Sequence, residues 1–307
     1  MSRSLCTVCT SLLLALTIFA QPAHVHAQQA PTAIASDPAP DKDSPAAIQT
    51  LQLPSHGALL NALVYVAAGA GPHPVVVLLH GFPGNEKNLD LAQAIRRAGW
   101  NVLYFNYRGS WGSPGDFSFT HTMEDTQAAI AFLRDPATAK KLRVDPDHIV
   151  LVGHSMGGFM ATYGGAEDTK IQAVGIISAA NLGGMGSRGN TPANPEEAVK
   201  KIAASLASEG MAPLAGCTPE GLAREILANR PKWNFVDYAA KLASRPILVV
   251  TSDDGLAPAG GALVDALRKA GDKDVTAVHM TTDHSYSDHR IGLEAAVLKW
   301  LDSLHKP

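Results

Sequence analysis

The chain has 307 residues, of which 46% are hydrophobic and 17% charged, with 27 glycines and 20 prolines. That composition excludes a disordered or fibrous protein and allows a large buried core, enough for one α/β domain with an insertion. A formal net charge of −3 without any basic block excludes an electrostatic footprint for nucleic acid or for an anionic membrane surface.

The first 27 residues read as a signal peptide. Arg3 gives a positive start, "LLLALTIFA" (Leu12 to Ala20) a short apolar stretch, and "VHA" ending at Ala27 the small residues that a signal peptidase accepts. A retained anchor is the alternative, but Gln21, Pro22 and His24 interrupt the apolar run before the roughly 20 residues of a membrane-spanning helix. Cleavage removes Cys6 and Cys9 and leaves Cys217 alone, so no intrachain disulfide can form. An exported protein of that kind suits the periplasm or the medium. Residues 28–47, rich in Ala, Pro and Asp, read as a flexible leader.

From Ile48 to the C-terminus the pattern is that of one structured domain. "IQTLQL" and "ALLNALVYVA" flank "PSHG" as two antiparallel strands around a turn. "PVVVLLHG" (Pro74 to Gly81) has no polar alternation, which marks a strand buried on both faces of a parallel sheet. Asn88 to Gly99 forms a helix, "NVLYFNY" a strand, "MEDTQAAIAFLR" a helix and "HIVLVG" a strand. A helix from Met156 to about Gly164 and the strand "AVGIISAA" follow. The alternation then stops. Residues from about 181 to 244 hold two helical patterns, "PEEAVKKIAASLASEG" and "PEGLAREILANR", without a strand, and form a candidate cap. The sheet resumes with "PILVVTSDD", a helix near Gly260 to Ala270, "VTAVHM" and a last helix from Ile291 to Leu304. The prediction is a mostly parallel sheet with helices on both faces, antiparallel strands at its start and a small helical cap.

Between a buried strand and a helix, Gly153-His154-Ser155-Met156-Gly157 satisfies G-x-S-x-G. A sharp strand-to-helix turn would lift the Ser155 hydroxyl to the carboxyl end of the sheet, where open α/β folds bind ligands. Such a nucleophile needs a base and a group to orient that base, in the chain order serine, acid, histidine. "SDDGLAP" offers Asp254, which opens the loop, with Asp253 as the alternative one step earlier. "VTAVHMTTDHSYSDHR" offers His284 in the loop before the last helix, with His289 nearer that helix and His279 inside the strand. The paired Asp-His steps lack a third well-spaced ligand for zinc, so neither metal nor cofactor is expected. The oxyanion donors would be the backbone N–H of Met156 and, from "HGFPGN", that of Phe82, since Pro83 has none.

With "HGFPG", "NYRGSWGSPGDF", "GHSMGG", "SDDGLAP" and "DHSYSDHR" in this order, the chain resembles an α/β-hydrolase from about Pro72 to His305. Within that superfamily the last two segments are most similar to prolyl oligopeptidase-like and dienelactone hydrolase-like catalytic domains. "RGSWGSPG" resembles a Gly- and Ser-rich loop that is mainly structural in such enzymes. The resemblance implies a serine hydrolase cleaving carboxylic esters through an acyl-enzyme. The alternative is a peptidase of the prolyl oligopeptidase type acting on small peptides, although Phe82 cannot supply the tyrosine oxyanion donor common there. A catalytically silent binding protein is a third reading. The partner expected is thus a small ester or peptide, with oligomeric state left open. Met185, Met211, Leu214 and Trp233 either line an acyl site or form the core of the cap.

Overall fold

The computed structural model describes residues 31–185 and 194–304. The expected signal peptide, with Cys6 and Cys9, lies outside the described residues, as do residues 28–30 of the leader and 186–193 of the cap. From Pro31 on, the leader contains a single helical turn, α1 (Thr32–Ala35), and touches the domain at defined points. The Arg97 guanidinium donates to Ala33 O at 2.5 Å, Gly69 N–H to Ser44 O at 2.9 Å, and the Arg143 guanidinium to Pro45 O at 2.9 Å.

Strands β1 (Ala47–Ser55) and β2 (Ala58–Val66) form the expected hairpin, paired from Ala47 with Val66 to Ser55 with Ala58. The turn places His56 and Gly57 at positive φ. Then β3 (His73–Leu79) enters the centre of the sheet, followed by α2 (Leu89–Arg97), β4 (Asn101–Phe105) and α3 (Phe119–Arg134). A short helix absent from the sequence reading, α4 (Pro136–Leu142), comes next. Its start is chemically explicit: Asp135 accepts the Thr138 N–H, and Pro136 takes the first turn, where no N–H is needed. After it come β5 (Val144–His154), α5 (Met156–Glu167) and β6 (Ala173–Ile177).

The insertion then begins with a 3₁₀ turn at Leu182–Gly184 and carries α6 (Pro195–Ser208) and α7 (Pro219–Asn229). Asn194 and Thr218 cap these helices with Pro at the next position, as "NPEE" and "TPEG" require. The chain returns through a 3₁₀ turn (Phe235–Tyr238) and α8 (Ala239–Leu242) to β7 (Ile247–Ser252), α9 (Ala257–Lys269), β8 (Val275–Met280) and α10 (Arg290–Ser303).

The eight strands form one sheet in the order β1-β2-β4-β3-β5-β6-β7-β8. The first two pairings, β1–β2 and β2–β4, are antiparallel, and every later one is parallel. The central strands explain themselves. Every residue of β4 and β6, and the run Val75–Leu79 of β3, is buried, because helices cover both faces and no alternation with polar residues is needed. The two faces give two core clusters. One gathers α3, α5 and the cap, and the other packs α2 and α10 against the opposite side. Trp233 belongs to the first of these and its ring meets those of Phe119 and Phe159, while Met185, Met211 and Leu214 pack half-buried against the same cluster. Among the described residues no helix is long and apolar enough to cross a membrane.

Candidate active site

Strand β5 ends at His154, and the chain turns into α5 at Met156, so Ser155 alone makes the corner. It does so at φ 57° and ψ −121°, a backbone region that a residue with a Cβ seldom occupies. Strain of this kind costs on the order of 1–3 kcal/mol and persists only where the surroundings enforce it. Here Ser155 N–H donates to Ile177 O at 2.9 Å, and Ser155 O accepts from Gly158 N–H at 3.0 Å and Ala180 N–H at 2.9 Å. The flanking glycines are steric necessities. A Cβ on Gly153 would lie 1.9 Å from Gly157 O, and one on Gly157 would lie 2.1 Å from Leu79 O. The corner is possible only because strand and helix approach without side chains.

The acid and the histidine meet. His284 Nδ1 lies 2.7 Å from Asp254 Oδ2, and a carboxylate can only accept, so the Nδ1 proton donates to it. That tautomer leaves Nε2 as the free acceptor of the ring. Asp254 Oδ1 accepts the Leu256 N–H at 2.7 Å. The side chain of Asp254 is 4% exposed against 39% for His284, so the pair runs from the interior to the surface. Burial by itself pushes the Asp254 carboxyl up. The hydrogen bonds from His284, Leu256 N–H and the Ser178 hydroxyl, with the charge of His284, outweigh it and bring the group down to about 2.

The alternatives go elsewhere. Asp253 Oδ1 pairs with His279 Nε2 at 3.1 Å on the surface, and His279 Nδ1 contacts the Thr251 hydroxyl at 2.9 Å. His289 Nδ1 contacts its neighbour Asp288 at 2.9 Å. Both pairs are well exposed and separate from Asp254 and His284.

His284 is in turn held beside the corner. The ring of His154, the residue before Ser155, lies 4.7 Å from the His284 ring, and its Nε2–H donates to His284 O at 2.8 Å. Burial, then the neighbouring His284, lowers His154 to about 3, so it stays neutral beside the His284 ring. Below the pair, Ser178 at φ 43° shares hydrogen bonds with Ser252 (2.8 Å) and with the fully buried Tyr286 (2.9 Å). Arg290 pins the loop from outside. It donates to Ser285 O at 2.9 Å and makes a bidentate pair with Asp90 at 2.5 and 2.7 Å. Sequence reading passed over His154, Ser178, Tyr286 and Arg290. The one signal for them was proximity, since each lies within a few residues of a candidate triad or strand-end position.

The loop after β3 passes against the serine. A Cβ on Gly81 would stand 2.8 Å from Ser155 Cβ and 3.3 Å from its Oγ. His80, fully buried and lowered to about 4 chiefly by burial, donates from Nδ1 to Gly81 O at 2.8 Å. A trans peptide sets C=O and N–H on opposite sides. With the Gly81 carbonyl turned to His80, the N–H of Phe82 faces away from it. Among the described residues neither this N–H nor that of Met156 donates to a backbone or side-chain acceptor. No group of three or more His, Cys, Asp or Glu side chains among the described residues is placed to hold a metal ion.

The family model for the alpha/beta hydrolase family matches residues 76–301. Among curated relatives, an uncharacterized protein of Mycobacterium tuberculosis (strain ATCC 25618 / H37Rv) is 31% identical over 106 residues, 34% of this chain and 36% of that protein. The chain thus matches about a third of the length of that relative. Among solved structures, an esterase of Pyrobaculum calidifontis superposes with a TM-score of 0.63 at 20% identity, over 85% of this chain and 87% of that one. The acylaminoacyl peptidase of Pyrococcus horikoshii superposes with a TM-score of 0.59 at 17% identity, over 84% of this chain and 41% of that one. At these identities the structural likeness is one of fold, and that fold serves an esterase and a peptidase alike. With nearly three-quarters of its length covered by one family model, the chain belongs to the alpha/beta hydrolase family.

Proposed function

We propose that the protein is a serine hydrolase that cleaves carboxylic esters through an acyl-enzyme. Ser155 Oγ attacks the ester carbonyl while His284 Nε2 takes its proton. The imidazolium then protonates the departing alcohol, and water repeats the sequence on the acyl-enzyme to release the acid. Asp254 holds the imidazole in the tautomer that leaves Nε2 free and stabilises the cation that forms. The N–H groups of Phe82 and Met156 receive the negative oxygen of both tetrahedral intermediates. The observation that carries this reading is the pairing of a strained serine corner with a histidine whose far nitrogen is committed to a buried carboxylate.

The same chemistry opens amides, whose leaving group is poorer and must be placed more tightly. A panel of activated esters of rising acyl length, run beside aminoacyl and prolyl anilides with Ser155→Ala as control, decides between them. Ester turnover far above anilide turnover, abolished in Ser155→Ala, supports the proposal. Anilide turnover rivalling it moves the assignment to a peptidase, and retained turnover in Ser155→Ala removes the serine mechanism. We further propose that the protein is exported, on the N-terminal pattern described above; size and N-terminal sequencing of the protein from cell fractions test this.

A further inference from the structure

The loop "RGSWGSPGD" after β4 has no part in the chemistry proposed above, yet its tryptophan touches both the oxyanion loop and the cap. Trp111 sits at φ 48°, a conformation that costs a non-glycine residue energy and that its neighbours enforce. Towards the oxyanion loop, its indole N–H donates to Pro83 O at 2.9 Å, directly after Phe82. The Lys87 ammonium stands 3.8 Å from the centre of its ring. Gly84 lies between the two rings that fix this loop: a Cβ there would meet His80 Nδ1 at 2.6 Å and Trp111 Nε1 at 2.7 Å. Towards the cap, the Trp111 backbone N–H donates to Pro213 O at 2.9 Å. Its neighbours continue the seam, Ser110 bridging Leu214 and Ala215 N–H donating to Gly109 O at 2.8 Å. The opposite end of the Trp111 loop is anchored in the core, where Arg108 pairs with the buried Asp125 at 2.7 Å.

Taken together, these contacts brace the Phe82 peptide from two sides. His80 holds the Gly81 carbonyl of that peptide, and Trp111 holds the Pro83 carbonyl two peptides further on. We propose that Trp111 is a positioning residue that clamps the loop bearing the Phe82 N–H to the cap segment 211–215, so that the placement of the cap sets the placement of the oxyanion donor. The proposal rests on the assignment of Phe82 as that donor. A donor displaced by a fraction of an ångström still lets substrate bind but stabilises the transition state less, so the effect belongs in kcat and not in KM.

The test compares Trp111→Phe, which keeps one aromatic ring under Lys87 but has no N–H to donate, with Trp111→Ala, which has neither ring nor N–H. In Trp111→Phe, kcat for an activated ester falls about three- to tenfold, the worth of one hydrogen bond, while KM stays within about twofold. Amide exchange measured by mass spectrometry rises in peptides covering residues 80–88 and stays at the wild-type level in the central strands. Trp111→Ala loses more kcat and raises exchange over 80–88 further, while residues 211–215, held by backbone bonds that it keeps, stay at the wild-type level. Wild-type exchange over 80–88 in Trp111→Phe overturns the clamp, and so does a wild-type kcat. So does exchange that rises throughout the fold with the active fraction, which marks a merely structural role. The two proposals fail separately: a wild-type enzyme without Ser155-dependent turnover sinks the ester assignment, whereas unchanged exchange over 80–88 sinks the clamp regardless of activity.

Discussion

His154 and His80 make stability fall steeply in mild acid. Both are buried and held neutral, His154 down at about 3 and His80 at about 4, burial being the largest cause in each. A histidine in the unfolded chain takes up its proton near pH 6.5. Below that pH the unfolded state binds two protons that the folded state refuses, so stability is full above about pH 6.5 and is lost as pH falls towards 4 and then 3. Each histidine contributes a slope of about 1.4 kcal/mol per pH unit once well below 6.5, or about 2 kcal/mol lost between pH 7 and pH 5. The pair together removes about 4 kcal/mol, a large share of the 5–15 kcal/mol typical of a folded domain. Replacing His154 by Gln keeps a donor for His284 O and removes the titration, so it halves this loss. Urea unfolding at pH 7 and pH 5, with and without His154→Gln, measures both quantities. A wild-type midpoint that does not move between the two pH values, or a His154→Gln variant with the full wild-type slope, means that burial does not hold these histidines neutral.

Asp254→Asn keeps the shape but allows the wrong imidazole tautomer, and lowers kcat by about 10³- to 10⁴-fold with KM little changed, as steady-state kinetics with an activated ester will show. Gly81→Ala sets a methyl group 2.8 Å from Ser155 Cβ. It lowers kcat/KM about tenfold or more through the displaced oxyanion loop, with a smaller change in Tm. Asp125→Ala takes the buried partner from the Arg108 side chain, which keeps only the partly exposed Glu124, and leaves the Ser55 hydroxyl and the Arg108 N–H without their acceptor. It destabilises the fold by about 3–5 kcal/mol in chemical denaturation, against well under 1 kcal/mol for Glu196→Ala, whose pair with Arg224 is exposed.

What the sequence made legible follows from how local its causes are. The unbroken apolar runs of β3, β5 and β7 announce a parallel sheet because burial on both faces removes any polar alternation. The two cap helices carry their own Asn-Pro and Thr-Pro starts, and their observed ranges fall inside the expected ones. Ser155 is legible for the same reason: a glycine on either side is demanded by contacts of 1.9 and 2.1 Å that no other residue permits. The choice between Asp253 and Asp254 is not local, since it depends on which carboxylate a loop turns inward, and only the positions of His284, Leu256 and Ser178 separate the two. The supporting residues are less legible still. His154, Tyr286 and Arg290 act through partners up to 200 positions away, and no spacing rule links Arg290 to Asp90 or His154 to His284. Helix α4 is a different omission, because Asp135-Pro136 is a local start signal that was there to be read.

The proposed chemistry begins at one oxygen atom, Ser155 Oγ. Incubating the wild-type protein with a fluorophosphonate and mapping the adduct by mass spectrometry tests it directly. The expected result is a single phosphonylated residue, Ser155, formed in step with loss of ester hydrolysis and slowed sharply in Asp254→Asn. Complete inhibition with the adduct elsewhere, or full hydrolysis by protein already modified at Ser155, contradicts it.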